Sequence, residues 1–437
     1  MTLMPHQQQA LQRLEESNGC QLLNLCPGAG KTLTALTYAK KFNKVLIVCP
    51  ATITSVWRDE AVKWDMPEPI LFQGTPKQRE LIKKALQDKQ DGSWLCVGYE
   101  MLLREWKSIQ GFGWELVIFD ESHRLKSPTA KIGKLVRKIA PSIPHRVLLS
   151  GTPIMNNIGD IWGQVTVVKS DSLYSNWYAF RSVHAIMPNP RIPFITGWRD
   201  KDGIMGRIKP YVFTIDKHEI QKNLPPVTSV DIQVELSPEE MRAYKQIKNE
   251  FLLQLEGQEE LTIANALVQV GRLRQCADGL LHFGVEISSK LTALRELLDS
   301  LQDEKVIIFS MYSQVVHYFA QNLEIRHVVT GETKDKDRVI HEWKQSGTAL
   351  IGTASLATGL NLQDAHYVVF IEPCWNKAQE DQSVGRAWRT GQKNPVTVYN
   401  LLGKDTIDYA IKKLILKKSS VANEVSSYTM ADIRDMV

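Results

Sequence analysis

The hydrophobic pattern of the chain alternates between short apolar runs of strand length and longer stretches with apolar residues at helical spacing. In the first part the strand-like runs are Gln21–Leu25, Lys44–Cys49, Trp94–Gly98, Glu115–Phe119 and Arg146–Leu149. Helical stretches lie between them, among them Lys31–Lys41, Pro76–Asp88 and Ala130–Ile139. Continuous apolar strands separated by helices predict parallel sheets with crossover helices, because a strand covered on both faces needs no polar side. After about Gly159 the rhythm breaks: residues 160–225 are richer in aromatics and prolines, which predicts an irregular or helical insert.

Alternation resumes with Ser237-Pro238-Glu239-Glu240, a capping box with proline at the first helical position. The helix it opens carries Met241, Tyr244, Ile247, Phe251 and Leu255 on one face. A second carries Leu291, Leu294, Leu297, Leu298 and Leu301, and both stripes read as core faces. Strands recur at Val306–Ser310, Leu350–Thr353, Tyr367–Ile371 and Val396–Leu401. The predicted class is α/β: two parallel-sheet lobes with a mostly helical insert between them.

The length of 437 residues suits two large domains or about three smaller ones. Hydrophobic residues at 43% and charged residues at 23% exclude a disordered or collagen-like chain. No apolar run reaches the roughly 18 to 20 residues of a membrane span. The start, Met1 to His6, lacks the basic flank and apolar stretch of a secretory signal. A net charge of +5 permits a polyanionic partner without demanding one. The six cysteines form no CxxC pair and no ligand spacing with histidine. Several lie in apolar runs, which predicts buried thiols in a reducing compartment, hence the cytoplasm or a host's cytoplasm.

Candidate chemistry begins at Gln21–Thr32, a strand, a glycine loop and a helix start. Gly28 and Gly30 let backbone N–H groups curl around a phosphate, and the helix N-terminus adds its positive end. Lys31 is placed to reach the β- and γ-phosphates and the Thr32 hydroxyl to ligate Mg2+. Leu25 stands where the general G-x-x-x-x-G-K-[ST] pattern has glycine, so the loop alone leaves coincidence open. The run Leu116–Phe119 then ends in Asp120 and Glu121. At the frayed end of a strand both acids can face a nucleotide, Asp120 toward the metal shell and Glu121 toward the attacking water. Two acids merely capping the next helix are the alternative, weakened by the lysine loop upstream. For His123, sensing the γ-phosphate and filling space both stay open.

Here the chain resembles the superfamily-two helicases, and within them the Swi/Snf-type DNA translocases, over nearly its whole length. Pro5-His6-Gln7 is similar to the glutamine motif that reads adenine. Pro50–Glu60 is similar to P-x-S-L-x-x-x-W-x-x-E, and Gly98-Tyr99-Glu100-Met101 to the T-Y-E motif. Asp120–Lys126 is close to D-E-[GA]-H-R-[IL]-K, and Leu149–Pro153 resembles the element that links nucleotide state to DNA grip. In the second lobe Ile307–Ser310 resembles the family's strand before a DNA-contacting loop, and Thr353–Leu362 its T-x-A-G-G-x-G-[IL]-N-L pattern, with Leu356-Ala357 in place of the glycine pair. Pro373–Asn376 resembles P-x-W-N, and Gln382–Gln392 resembles Q-x-x-x-R-x-x-R-x-G-Q.

The resemblance implies two RecA-like lobes: an N-terminal lobe over 1–222, with its ATP-binding core at about 10–165, and a C-terminal lobe over 223–437, with its core at about 288–437. It implies an ATP hydrolase that couples ATP and Mg2+ to movement along double-stranded DNA. Catalytic roles fall to Lys31, Glu121, Arg386 and Arg389; the arginines, three apart on one helix face, meet the γ-phosphate across a cleft. Nucleotide binding falls to Gln7, Pro27, Gly28, Ala29, Gly30, Lys31, Thr32 and Gly359, the metal to Thr32 and Asp120, and coupling to Ser150 and Thr152. DNA contacts fall to Ala51, Thr52, Tyr99, Ser310, Met311, Thr353 and Trp375. A basic stretch at Lys412, Lys413, Lys417 and Lys418 is either a further DNA surface or a solvated helix face. Trp388 replaces a usual histidine between the arginines, and Phe213–Lys217 lacks the Arg-Arg pair of remodelling relatives. A compact monomeric motor without accessory domains is expected, and no membrane partner. Alternatives are a strand-separating helicase, an ATP-switched scaffold, and a motor subunit serving a nuclease or methylase.

Overall fold

The computed structural model describes residues 3–88, 92–151, 158–174, 176–187, 195, 197–215, 224–256, 263–279, 288–353, 356, 360–389, 391–420 and 430–437. The chain divides into two units, Met1–Asn223 and Leu224–Val437. Among the described residues no helix is long and apolar enough to cross a membrane.

The first unit is built on β1 (Cys20–Asn24), β2 (Lys44–Cys49), β3 (Ile70–Leu71), β4 (Ser93–Gly98), β5 (Leu116–Asp120) and β6 (His145–Ser150). Its insert adds the short antiparallel pair β7 (Ala185–Ile186) and β8 (Gly197–Trp198), then β9 (Val212–Thr214). The main sheet runs β3-β4-β2-β5-β6-β1-β9, and its neighbours pair in parallel. Successive side chains of a strand point to opposite faces, so each apolar run feeds two cores. Leu46, Val48, Leu95, Val97, Val117 and Phe119 enter one core. Val45, Ile47, Cys49, Trp94, Cys96, Leu116 and Ile118 enter the other.

The insert is mostly helical, with helices Asp160–Val168, Trp177–His184 and Lys201–Ile208. It is not a separate layer, because Trp162, Val165, Phe180 and Ile204 share the core of Leu46 and Phe119. It also returns a strand to the sheet: β9 pairs with β1 through Leu22↔Val212, Leu23↔Phe213 and Asn24↔Thr214.

The second unit holds β10 (Val227–Val234), β11 (Val306–Phe309), β12 (His327–Val329), β13 (Ala349–Gly352), β14 (Tyr367–Phe370) and β15 (Val396–Gly403). Their order is β10-β15-β14-β11-β13-β12, again with parallel pairs. Strand β10 is an exposed edge whose eight residues all register with β15, from Val227↔Val396 to Val234↔Gly403. The capping box is formed: Ser237 N–H donates to Glu240 Oε2 at 2.9 Å and Glu240 N–H to Ser237 Oγ at 3.2 Å. The helix it opens, Pro238–Glu256, packs with Ile263–Ala277, Ile407–Ser420 and Met430–Met436 in a core of their own.

Candidate active site

In a parallel sheet every strand ends at the same edge, where ligands of open α/β sheets bind. The carboxyl edge of the first unit gathers most of its candidates. After β1 comes the loop 25–30, with Gly28 at φ +83° and Gly30 at φ +73°. These are left-handed conformations that a side chain disfavours. Gly30 also lies under a neighbour, since a Cβ there would sit 2.2 Å from Gln7 Nε2. The helix Lys31–Ala39 starts directly from it.

The helix Pro5–Glu16 clasps this loop. His6 Nε2 is 2.9 Å from Ala29 O, and Gln7 Nε2 is 3.5 Å from Gly30 O while Gln7 Oε1 accepts Met4 N–H at 2.9 Å. Gln7 is buried and Thr32 half-buried. Lys31 Nζ donates to Leu25 O at 2.9 Å and Cys26 O at 3.3 Å, so the ammonium is held over the loop's own carbonyls. A Cβ on Gly151, just past Ser150 at the end of β6, would lie 3.1 Å from Pro27 Cδ and 3.5 Å from Lys31 Nζ. Ser150 is fully buried and its carbonyl accepts Leu25 N–H at 3.2 Å. Thr152 and Gly359 lie outside the described residues.

Asp120 closes β5 with three anchors. Oδ2 accepts the Trp57 indole N–H at 2.9 Å, Oδ1 accepts Glu121 N–H at 2.9 Å, and its backbone carbonyl accepts the Tyr99 hydroxyl at 2.8 Å. Burial pushes the Asp120 carboxyl up to about 6; Glu121 adds to the rise and Lys31 opposes it. Glu121 stands in the left-handed region, φ 51° and ψ 50°, at the head of the 3₁₀ turn Ser122–Leu125. Such backbone strain in a non-glycine residue concentrates at functional sites. Its Oε2 is 3.3 Å from His123 Nδ1.

The turn is seated on the insert. Ser122 Oγ donates to Gln164 Oε1 at 3.0 Å, both side chains being buried. Arg137 donates to Leu125 O and Gly163 O at 3.4 Å each and to Pro128 O at 3.0 Å, with its guanidinium 5.0 Å from the Trp162 ring centre. Burial lowers that guanidinium to about 10. The candidates read as DNA contacts follow the adjacent strands: Ala51 and Thr52, exposed, after β2, and Tyr99, buried, after β4.

In the second unit Ser310 and Met311 follow β11, Thr353 follows β13, and Trp375 follows β14. Ser310 is fully buried; its hydroxyl donates to Glu372 Oε1 at 2.8 Å, and Met311 N–H donates to the same oxygen. Arg274, also fully buried, lies 4.3 Å from the Trp375 ring centre and donates to Pro373 O. Lys290 Nζ donates to Asp278 Oδ1 at 2.8 Å, Asp408 Oδ2 at 2.6 Å and Ile371 O at 2.8 Å, with no solvent exposure on any of the three side chains.

Arg386 is in the last turn of the helix Lys377–Ala387, but Arg389 is not on that helix as its spacing predicts. Trp388 ends it at φ −92° and ψ 88°. Its indole N–H donates to Pro225 O at 2.7 Å, which anchors the ring at the helix end. Gln392 Nε2 then donates to Gln363 O at 2.9 Å and to Ala365 O and Ala387 O at 3.1 Å each, tying the arginine segment to the sheet.

A SNF2-related domain matches residues 6–280, and a helicase conserved C-terminal domain matches residues 289–391. The chain belongs to the SNF2-related family. Relatives include a DNA excision repair protein ERCC-6-like of Bos taurus, 26% identical over 91% of this chain and 39% of its own length. Others are a chromodomain-helicase-DNA-binding protein 1-like of Danio rerio, 26% identical over 94% of this chain and 42% of its own, and the ISWI chromatin-remodeling complex ATPase ISW1 of Saccharomyces cerevisiae, 24% identical over 90% and 37%. The chain thus spans about two fifths of the length of these curated relatives. Among solved structures, the Sulfolobus solfataricus SWI2/SNF2 ATPase core in complex with dsDNA aligns with all of this chain and 97% of that one, at 21% identity and a TM-score of 0.45.

Within this SNF2-related chain, sequence reasoning assigned no role to Trp57, Gln392, Glu372 or Arg274. Trp57 and Gln392 stood inside quoted motifs, and a tryptophan or glutamine in a buried setting signals a polar partner to be found. Glu372 and Arg274 carried no local signal.

Proposed function

We propose that the chain is an ATP-driven motor that moves along double-stranded DNA, hydrolysing ATP with Mg2+ at the carboxyl edge of the first unit. The observation that carries this reading is the grouping of Lys31, Asp120, Glu121 and Gly151 at the ends of β1, β5 and β6, beside the turn after β2 and the helix start after β4. The relatives named for chromatin remodelling and excision repair support the choice of DNA as the track.

In this reading Gly28 to Gly30 and Lys31 bind the phosphates, with Lys31 leaving its loop carbonyls for them. Thr32 and Asp120 would hold magnesium; a hydroxyl and a carboxylate suit this hard cation, and the carboxylate is already aligned by two N–H donors. Magnesium, when bound, neutralises developing phosphate charge. Glu121 orients the attacking water and takes its proton. Arg386 and Arg389 stabilise charge that develops on the transferred phosphoryl group, worth about 10³ to 10⁵ in rate for an arginine finger. Ser150 and Thr152 couple nucleotide state to DNA grip. Ala51, Thr52, Tyr99, Ser310, Met311, Thr353 and Trp375 mark the DNA-facing loops.

We place the motor in the cytoplasm, working as a monomer or beside a nuclease or methylase. The test compares ATPase rates with duplex DNA, single strands and RNA, alongside triplex displacement and fork unwinding. Duplex-stimulated hydrolysis, lost in Lys31→Ala, with triplex displacement and no unwinding, is the expected outcome. Hydrolysis indifferent to duplex sinks the reading.

A further inference from the structure

Asp120 is held by more than its strand. Its two carboxylate oxygens each accept one N–H at 2.9 Å, from Trp57 and from the next residue in the chain. The amide bond is local and comes with the turn. The indole bond joins residues 63 positions apart and had to be built by the fold.

Trp57 is 1% exposed and sits among apolar neighbours that include Ile53, Ala61, Cys49 and Cys96. An indole offers one donor and no acceptor, so it constrains a carboxylate without competing for a cation. Trp57 belongs to the helix Thr54–Lys63, which follows directly on the 3₁₀ turn Ala51–Ile53. The first two residues of that turn are exposed while the indole is inside, so one continuous stretch of helical backbone runs from solvent to the Asp120 contact.

We propose that Trp57 is a positioning residue: its indole N–H fixes the orientation in which Asp120 meets a divalent cation, and it ties that orientation to the solvent-facing turn Ala51–Ile53. This rests on Asp120 being a magnesium ligand and the turn a DNA contact. Outer-shell partners of metal ligands typically control affinity by about 10- to 100-fold.

The test titrates Mg2+ against binding of a fluorescent ATP analogue, without hydrolysis, and follows thermal unfolding in parallel. Two variants remove the donor. Trp57→Phe does so at the expense of volume; replacing Trp57 by 3-benzothienylalanine keeps the shape and puts sulfur where the N–H was. Both are expected to raise the half-saturating Mg2+ by about 10-fold or more, with metal-free nucleotide affinity unchanged. Duplex DNA is expected to lower the wild-type Mg2+ requirement severalfold and to have no such effect in either variant. If the benzothienyl protein titrates like the wild type, the indole only fills space and the positioning role is lost. Equal losses with and without metal would mark a folding defect and also overturn it. A wild type that binds duplex with no change in its Mg2+ requirement removes the link to the turn. Failure of the underlying reading looks different: nucleotide binding by the wild type would then ignore Mg2+ altogether, and the proposal would fall with it.

Discussion

Ser310 donates its hydroxyl hydrogen to Glu372 at 2.8 Å, and neither side chain reaches solvent. Met311 N–H reaches the same oxygen, so the loops after β11 and β14 hang on one carboxylate. Replacing it with an amide keeps the shape but turns charge-assisted bonds into neutral ones, a loss of about 1 to 2 kcal/mol. Glu372→Gln is therefore expected to destabilise the second unit by that amount in urea titrations. Duplex affinity, read by fluorescence anisotropy, is expected to fall while metal-free ATP binding stays.

Lys290 is wholly buried between Asp278 and Asp408. Removing one partner of a buried ion pair leaves an uncompensated charge and costs about 3 to 5 kcal/mol. Lys290→Met is expected to lose stability on that scale, and Asp408→Asn in the same chain to restore part of it. Chemical denaturation of the three proteins checks the order.

The buried group holds three carboxylates, Asp278, Glu372 and Asp408, against two cations, Arg274 and Lys290. Burial holds the Asp278 carboxyl well above its ordinary 3.8, against the pull of Lys290. A carboxyl whose folded value is raised keeps its proton longer in the fold than in the unfolded chain. Its stabilising contribution is thus complete at acid pH and declines as pH climbs from about 4 through the folded value. Asp278→Asn cannot lose that proton. Its stability relative to the wild type should rise between pH 4 and pH 8, measured by urea unfolding at several pH values. A flat difference would show that Asp278 ionises alike in both states.

Gly163 faces the turn that carries the acids. A Cβ there would meet Leu125 O at 2.3 Å and Lys126 O at 2.6 Å, both backbone atoms that cannot swing away. Gly163→Ala is expected to push the helix Asp160–Val168 off the turn, costing at least about 1 to 3 kcal/mol as overpacking does. ATPase activity should fall more steeply than stability predicts, because Ser122 and Glu121 move with the turn. Scanning calorimetry beside steady-state hydrolysis separates the two effects.

Arg389→Ala is expected to lower kcat by about 10³-fold or more if it acts as a finger, with ATP affinity nearly intact. Trp388→Phe, which has no ring N–H and so removes the bond to Pro225 O, should weaken kcat by less. Single-turnover hydrolysis compares them.

What could be read along the chain and what could not divides along physical lines. The strands of the first unit were legible because both faces are covered, leaving continuous apolar runs such as Lys44–Cys49. Strand β10 was not among the expected strands: its apolar and polar residues alternate only from Val230 to Val234, and most of it is exposed, so it lacks the continuous apolar run of the others. Strand β9 is three residues long and is defined by its neighbour β1. The lysine loop and the paired acids carry their chemistry in adjacent residues, so local pattern was enough to mark them as candidates. Trp57, Glu372 and Arg274 owe their place to partners 63, 62 and 99 positions away. Arg389 lies beyond a helix end at Trp388, whose indole is bonded to Pro225 O, 163 positions earlier.

The edge strand of the second unit has a consequence for how the protein is made. Residues of β10 wait for partners 169 positions later in the chain, the separation of Asp231 and Asn400. At about 5 to 20 residues per second, a ribosome takes roughly 10 to 30 s to supply them. The first unit can zip its last strand as soon as Thr214 emerges, whereas the second begins with an unmated edge bearing Val227 and Val230. A stall before residue 396 would leave that edge free to pair with another chain. Codon speed over the stretch between β10 and β15 is therefore a lever on yield.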